Sequence, residues 1–199
     1  LNAWNILYSR NLLGQEESEL TYYLCTEGKF ANRIIIPYLA EGVIFYFQGR
    51  ALSDDQSPKY LAPNVTEAPK KSDVLYPFDM DSDILVICEG PTDAITLQLA
   101  GVNATCIQGS SVSLQQMDIL SEFKGKIILG FDNDEAGKRS TLTFDRVRKE
   151  KRIPVFSICN PPEEYKDWNK ASVKGVDLVE WVENNTEEYD YHKLLLASM

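Results

Sequence analysis

From residue 83 onward two kinds of segment alternate. The runs "DILVICEG", "ATCIQG" and "KIILGFDND" are apolar without polar alternation, whereas "TDAITLQLAG" and "SVSLQQMDILSEF" repeat their apolar residues at helical spacing. A strand with no wet face must be covered on both sides, which predicts a parallel sheet flanked by helices. Ser113 and Gln116 fit a capping box at the start of the second helix. A basic helix is expected from about Glu135 to Lys151, and "PVFSICNPP" reads as another strand. Ligands of such sheets collect at the carboxyl ends of the strands, where Glu89, Gly109, Asp132 and Asp134 fall. Asp167 follows a few residues after the last strand.

Upstream the pattern differs. "AWNILYSRNLLG" reads as a helix stopped at Gly14, and the acidic "QEESEL" follows it. "RIIIPYL" and "VIFYFQGRAL" flank "AEG" and are rich in β-branched and aromatic residues, which predicts a β-hairpin. From Ser53 to Asp73 the composition turns to Ser, Asp, Lys and three prolines, a long loop with short elements. The expected organisation is an α/β chain: a smaller mixed subdomain with the hairpin over 1–80, the parallel-sheet domain over 81–165, and a helical segment over 166–199.

Length and composition narrow the picture. At 199 residues and 44% hydrophobic, the chain can bury a substantial core. It starts at Leu1, and the expectation is a piece of something longer. No apolar run approaches the ~18–20 residues of a membrane span, and no signal peptide opens the chain. No membrane partner and a cytoplasmic location are therefore expected. Cys25, Cys88, Cys106 and Cys159 form no CxxC pair, so buried free thiols are expected rather than zinc ligands or disulfides. The net charge of −10 argues against a nucleic-acid partner at first sight. Half of that excess lies in residues 161–199, which leaves room for a locally basic groove.

The carboxylates carry the chemistry. As an EF-hand loop, "DNDEAGKRSTLT" fails, because Ala136 and Thr143 stand where ligands are needed. A phosphotransferase of the haloacid-dehalogenase kind would want Thr where Ala136 stands. A plainer reading has the aspartates only capping the next helix. Against it, "CEGPTDA" places Glu89 at another strand end and Asp93 four residues on, in a first helical turn. Four carboxylates converging from one sheet edge repel each other unless a cation joins them, and hard oxygen donors suit magnesium.

"EGPTDA", a middle "GSS" loop and "FDNDEAG", in that order, resemble the Toprim domain over about residues 82–160. That domain is shared by DnaG-type primases, topoisomerases and some nucleases. "KDWN" resembles the later acidic motif of phage primases, where relatives carry a second acid at the place of Asn169. The hairpin, Gly49-Arg50, "PKYL" at 58–61 and "KK" at 70–71 resemble the subdomain that precedes Toprim in DnaG-type and phage primases.

The resemblance implies the core of a bacteriophage DNA primase, joining ribonucleoside triphosphates on a single-stranded DNA template. It implies Mg2+, with Mn2+ as a substitute, on Asp132 and Asp134, and no zinc in this fragment. Glu89 is implied as ligand or as base, and Asp93 and Asp167 support the metal. Arg50 and Lys59, then Arg33, Lys70 and Lys71, are implied to contact template or nucleotide. The cations from Lys138 to Arg152 read as a solvated helix face, His192 as exposed and idle, and Trp4, Trp168 and Trp181 as packing residues. A zinc module and a replicative helicase would act through regions outside this chain. The alternatives are a Toprim nuclease or topoisomerase fragment, or a non-catalytic DNA-binding module.

Overall fold

The computed structural model describes residues 3–13, 21–53, 55–151, 153 and 156–191. Gly14, Arg152 and His192 lie outside the described residues, as do the "QEESEL" stretch and residues 154 and 155.

A short helix α1 (Ala3–Ser9) opens the chain. A four-stranded antiparallel sheet follows, with β1 (Tyr23–Cys25), β2 (Arg33–Ala40), β3 (Val43–Ala51) and β4 (Tyr60–Leu61) in spatial order 1-2-3-4. The expected hairpin is its centre. Glu41 (φ 51°) and Gly42 (φ 77°) both take left-handed backbone at the turn, as a two-residue hairpin loop matching strand twist requires. Ile34, Ile36 and Tyr38 alternate along β2 onto the buried face, where Tyr38 meets Tyr46 and Tyr76 edge-on at 5.0 and 4.9 Å.

The second sheet has the order β6-β5-β7-β8-β9, from β5 (Ile84–Cys88), β6 (Ala104–Cys106), β7 (Lys126–Leu129), β8 (Ser157–Ile158) and β9 (Glu187–Glu188). Its first four members are parallel, as the unalternated runs predict. β9 adds an antiparallel edge. Residues beyond 166 are therefore not helical throughout: α5 (Trp168–Val173) and α6 (Leu178–Asn185) are followed by a strand that joins the sheet.

The two faces of β5 explain its composition. Val86 and Cys88 belong to one core with α2 (Pro91–Leu99), α5, α6 and the first sheet. Leu85 and Ile87 belong to another with α3 (Leu114–Glu122) and α4 (Glu135–Lys151). The Ser113–Gln116 capping box forms reciprocally, and the basic helix has the expected bounds. Much of its charge is neutralised locally: Lys138 pairs with Glu135, Arg148 and Lys149 with buried Asp145, and Lys151 with Asp118. Trp168 is fully buried, whereas Trp4 is 62% exposed and departs from the packing role expected of it. The four cysteines are free thiols; Cys88, Cys106 and Cys159 are buried as expected, whereas Cys25 is only half-buried.

Candidate functional site

Each acidic motif is placed by a strand end running into a helix. β5 stops at Cys88, Glu89 follows, and Pro91 opens α2, where the missing N–H costs nothing. Asp93 in the first turn accepts the Asn169 backbone N–H at 3.1 Å. Beyond β7 the chain passes Gly130 and Phe131 to Asp132. A Cβ on Gly130 would stand 2.8 Å from Val86 Cγ1, and one on Gly137 would stand 2.0 Å from the Asp132 carbonyl oxygen. Glycine at both places lets α4 lie against the strand end.

Asp134 divides its two oxygens. Oδ1 accepts from the Ala136 and Gly137 N–H groups at 2.9 and 3.0 Å, capping α4, while Oδ2 lies 3.0 Å from Lys166 Nζ. Capping and cation binding therefore use different atoms of one side chain. Asp167 likewise caps α5 by accepting the Lys170 N–H at 2.8 Å.

Glu89, Asp93, Asp132 and Asp167 line one cleft of about 510 Å³, together with Arg10, Arg50, Lys59 and Lys71. The acids come from the second sheet's subdomain and these cations from the first. Lys166, 3.8 Å from Asp132 Oδ2, offsets only part of the acidic charge. Burial first, then Asp132 and Asp134, raises Glu89 to about 7. Burial, then Asp167 and Asp132, raises Asp93 to about 7. Burial and Asp167 raise Asp132 to about 6 against the pull of Lys166. Asp134 is held low, chiefly by the Gly137 N–H. Lys59 is pushed down by burial and by the charges of Arg50 and Arg10. Such opposed shifts are the pattern that binding and catalytic sites show.

Arg50 is 4% exposed, its Nη1 reaches only the Ala51 carbonyl at 3.5 Å, and its buried Nε has no partner. Its guanidinium lies 5.9 Å from the Tyr60 ring centre. No carboxylate pairs with it among the described residues.

Not every expected residue reaches the cleft. Arg33 does not: it is 2% exposed and donates to the Gly49 and Lys59 carbonyls at 3.1 and 3.3 Å, tying β2, β3 and the start of β4 together. Lys70 is exposed and does not line the cleft, unlike Lys71. Asn169 lines the cleft and also ties it to the rest of the fold. Its side-chain amide donates to the Arg10 carbonyl at 2.6 Å and to Thr96 Oγ1 at 2.9 Å, fixing the end of α1 beside the cleft.

Arg10 lies in no motif, and Lys166 opens "KDWN" without an expected role of its own, yet both line the cleft. Gln48 and Gln108 are others, joined Nε2 to Oε1 at 2.5 Å across the seam between the subdomains. Gln108 takes a left-handed backbone at φ 59° beside the GSS loop. Across the same seam, the Tyr60 and Thr92 hydroxyls are hydrogen-bonded.

The donor set fits a hard divalent cation. Glu89 Oε1 is buried with no hydrogen-bond partner, and three carboxyls are held above their ordinary range by burial and by one another's charge. Among the described residues no group of three or more acidic, His or Cys side chains is arranged to hold a metal ion by itself. Magnesium does not need one, because it keeps waters and takes phosphate oxygens as ligands.

Comparison with known proteins agrees with this architecture. Residues 5–82 match the family described as DNA primase catalytic core, N-terminal domain, and residues 86–172 match the family described as Toprim-like. The DNA primase of Clostridium acetobutylicum is 33% identical over 174 residues, covering 82% of this chain and 28% of the relative. That of Thermotoga maritima is 32% identical over 174 residues, covering 82% of this chain and 30% of the relative. The chain thus spans less than a third of these curated relatives. A DnaG primase catalytic domain bound to single-stranded DNA superposes with a TM-score of 0.71 at 20% identity, over 99% of this chain and 63% of the other. With two sheets, a seam cleft and these two consecutive matches, the chain carries the N-terminal domain of a DnaG-type primase catalytic core followed by a Toprim-like domain.

Proposed function

We propose that this chain is the catalytic core of a DNA primase, joining ribonucleoside triphosphates into short RNA primers on single-stranded DNA. The observation that carries the reading is the two-signed cleft: half-buried carboxylates held above their ordinary range, facing the buried Arg50 and the more exposed Arg10, Lys59 and Lys71. A nucleoside triphosphate with its metal has the complementary charges.

Asp132 and Asp134 would hold Mg2+, which Mn2+ can replace, with Asp93 and Asp167 shaping the charge around them. Bound there, the cation stabilises the attacking and leaving oxygens of the transfer. Glu89, raised to about 7 and with a free Oε1, suits the group that accepts the proton of the 3′-hydroxyl. Arg50, Lys59 and Lys71 bind the triphosphate or the template backbone, and Arg10 joins them.

The "KDWN" stretch supports a kinship with bacteriophage primases. A replicative helicase would engage segments outside this chain, and the work would take place in the cytoplasm of a bacterial host. No helix among the described residues is long and apolar enough to cross a membrane.

The test is synthesis of labelled oligoribonucleotides on single-stranded DNA with Mg2+ or Mn2+, alongside nicking of supercoiled DNA. Primers without nicking uphold the proposal. Nicking without primers replaces it with a Toprim nuclease.

A further inference from the structure

The middle residue of Asp132-Asn133-Asp134 is a clamp. Its side-chain amide donates to the carbonyls of Pro161 (2.7 Å), Pro162 (3.0 Å) and Tyr165 (2.9 Å). Its backbone N–H donates to the Lys166 carbonyl at 2.8 Å. Every donor of Asn133 thus holds the loop from Pro161 to Lys166 against the strand end. What the clamp delivers is Lys166, whose Nζ stands 3.0 Å from Asp134 Oδ2 and 3.8 Å from Asp132 Oδ2. Asp134 Oδ1 is already engaged in capping α4, so Oδ2 is the oxygen left for a cation, and the ammonium occupies it.

An ammonium on a flexible four-carbon stem is a compact charge that can come and go. The Lys166 side chain is 52% exposed, so leaving disrupts little packing. A divalent ion on Asp134 Oδ2 and an ammonium on the same atom repel each other at contact distance.

We propose that Lys166, positioned by Asn133, is an exchangeable counter-ion of the Asp132–Asp134 pair. It neutralises and aligns the carboxylates before a divalent cation arrives, and it yields Asp134 Oδ2 when the cation binds. Displaced, it stays tethered at the cleft, where its charge faces incoming phosphates. The proposal rests on the metal reading given above.

Two measurements test it, and neither reads activity. In the first, the wild-type chain is labelled with an amine-reactive acetylating reagent in EDTA and in saturating Mg2+, without nucleotide. Lys166 should label about two- to five-fold faster with the metal, the release an exposed ion pair allows, while exposed Lys174 labels alike in both. In the second, Mn2+ binding is followed through the spin-resonance signal of the free ion. Lys166→Gln should bind about two- to five-fold more tightly than wild type. The charge-matched Lys174→Gln should bind as wild type does.

Lys166 labelling that is unchanged or slowed by metal overturns the proposal, as does a Lys166→Gln variant no tighter than Lys174→Gln. Asp134→Asn separates the two levels. If it binds Mn2+ like wild type, the metal reading fails and this inference with it. If it loses Mn2+ while Lys166→Gln is unchanged, the inference fails alone.

Discussion

At the residue scale, the proposed function gives Asp134 a second job beside capping α4, and a conservative change separates the two. Asparagine keeps an oxygen for the Ala136 and Gly137 N–H groups and is itself a good cap. Asp134→Asn should therefore melt within a few degrees of wild type, while primer synthesis falls by two orders of magnitude or more, since a metal ligand acts most strongly in the transition state. Near-normal synthesis would leave only the cap. Arg50 makes the opposite case. A buried cation without a carboxylate is a stability cost. Arg50→Met should raise stability by about 1 kcal/mol in urea unfolding, yet raise the nucleotide concentration for half-maximal rate at least tenfold. A stability loss with unchanged nucleotide dependence would make Arg50 a packing residue.

At the element scale, the strand-to-helix junction is the tightest constraint. Gly137→Ala sets a methyl 2.0 Å from the Asp132 carbonyl oxygen, so α4 must back away from the end of β7. The expected loss is about 1–3 kcal/mol in chemical denaturation, with Mn2+ affinity falling too because Asp132 and Asp134 shift together. Elements with local signals were legible in the sequence: the Ser113–Gln116 box, the hairpin around Glu41-Gly42, and α4 with its basic end. The carboxylates were legible because strand ends in a parallel sheet share one edge. Arg33 was misread through register. It opposes Ala51 while Ile34 opposes Arg50, and side chains alternate faces, so Arg33 and Arg50 point apart. The roles of Arg10 and of Lys166, the first residue of "KDWN", were not legible, since contacts about 160 residues away at Asn169 and about 30 away at Asn133 put them at the cleft. The edge strand β9 has only the acidic pair Glu187-Glu188 to announce it.

At the scale of the whole molecule, three carboxyls held at about 7, 7 and 6 make stability depend on pH. In the unfolded chain they titrate near ~4, so between about pH 4 and 7 the folded chain holds the extra protons. Stability therefore falls as pH rises through that window, whereas Asp134, held low, loses its contribution only below it. The metal-free chain in EDTA should melt several degrees lower at pH 7.5 than at pH 5.5. Asp93→Asn should flatten the slope, and magnesium at pH 7.5 should recover the difference; a flat profile in EDTA would mean that the carboxylates are already compensated. The division of charge along the chain has a mechanical side. Arg10, Arg50, Lys59 and Lys71 precede the second sheet and Glu89, Asp93, Asp132 and Asp167 follow its first strand, so neither subdomain owns a complete site. On the proposed function, direct seam bonds such as Gln48–Gln108 and Tyr60–Thr92 would be joined by a nucleotide gripped from both sides. The substrate would then be mortar as well as reactant: amide exchange along the seam should slow when nucleotide and metal bind together, and two separately expressed halves should find each other best in their presence.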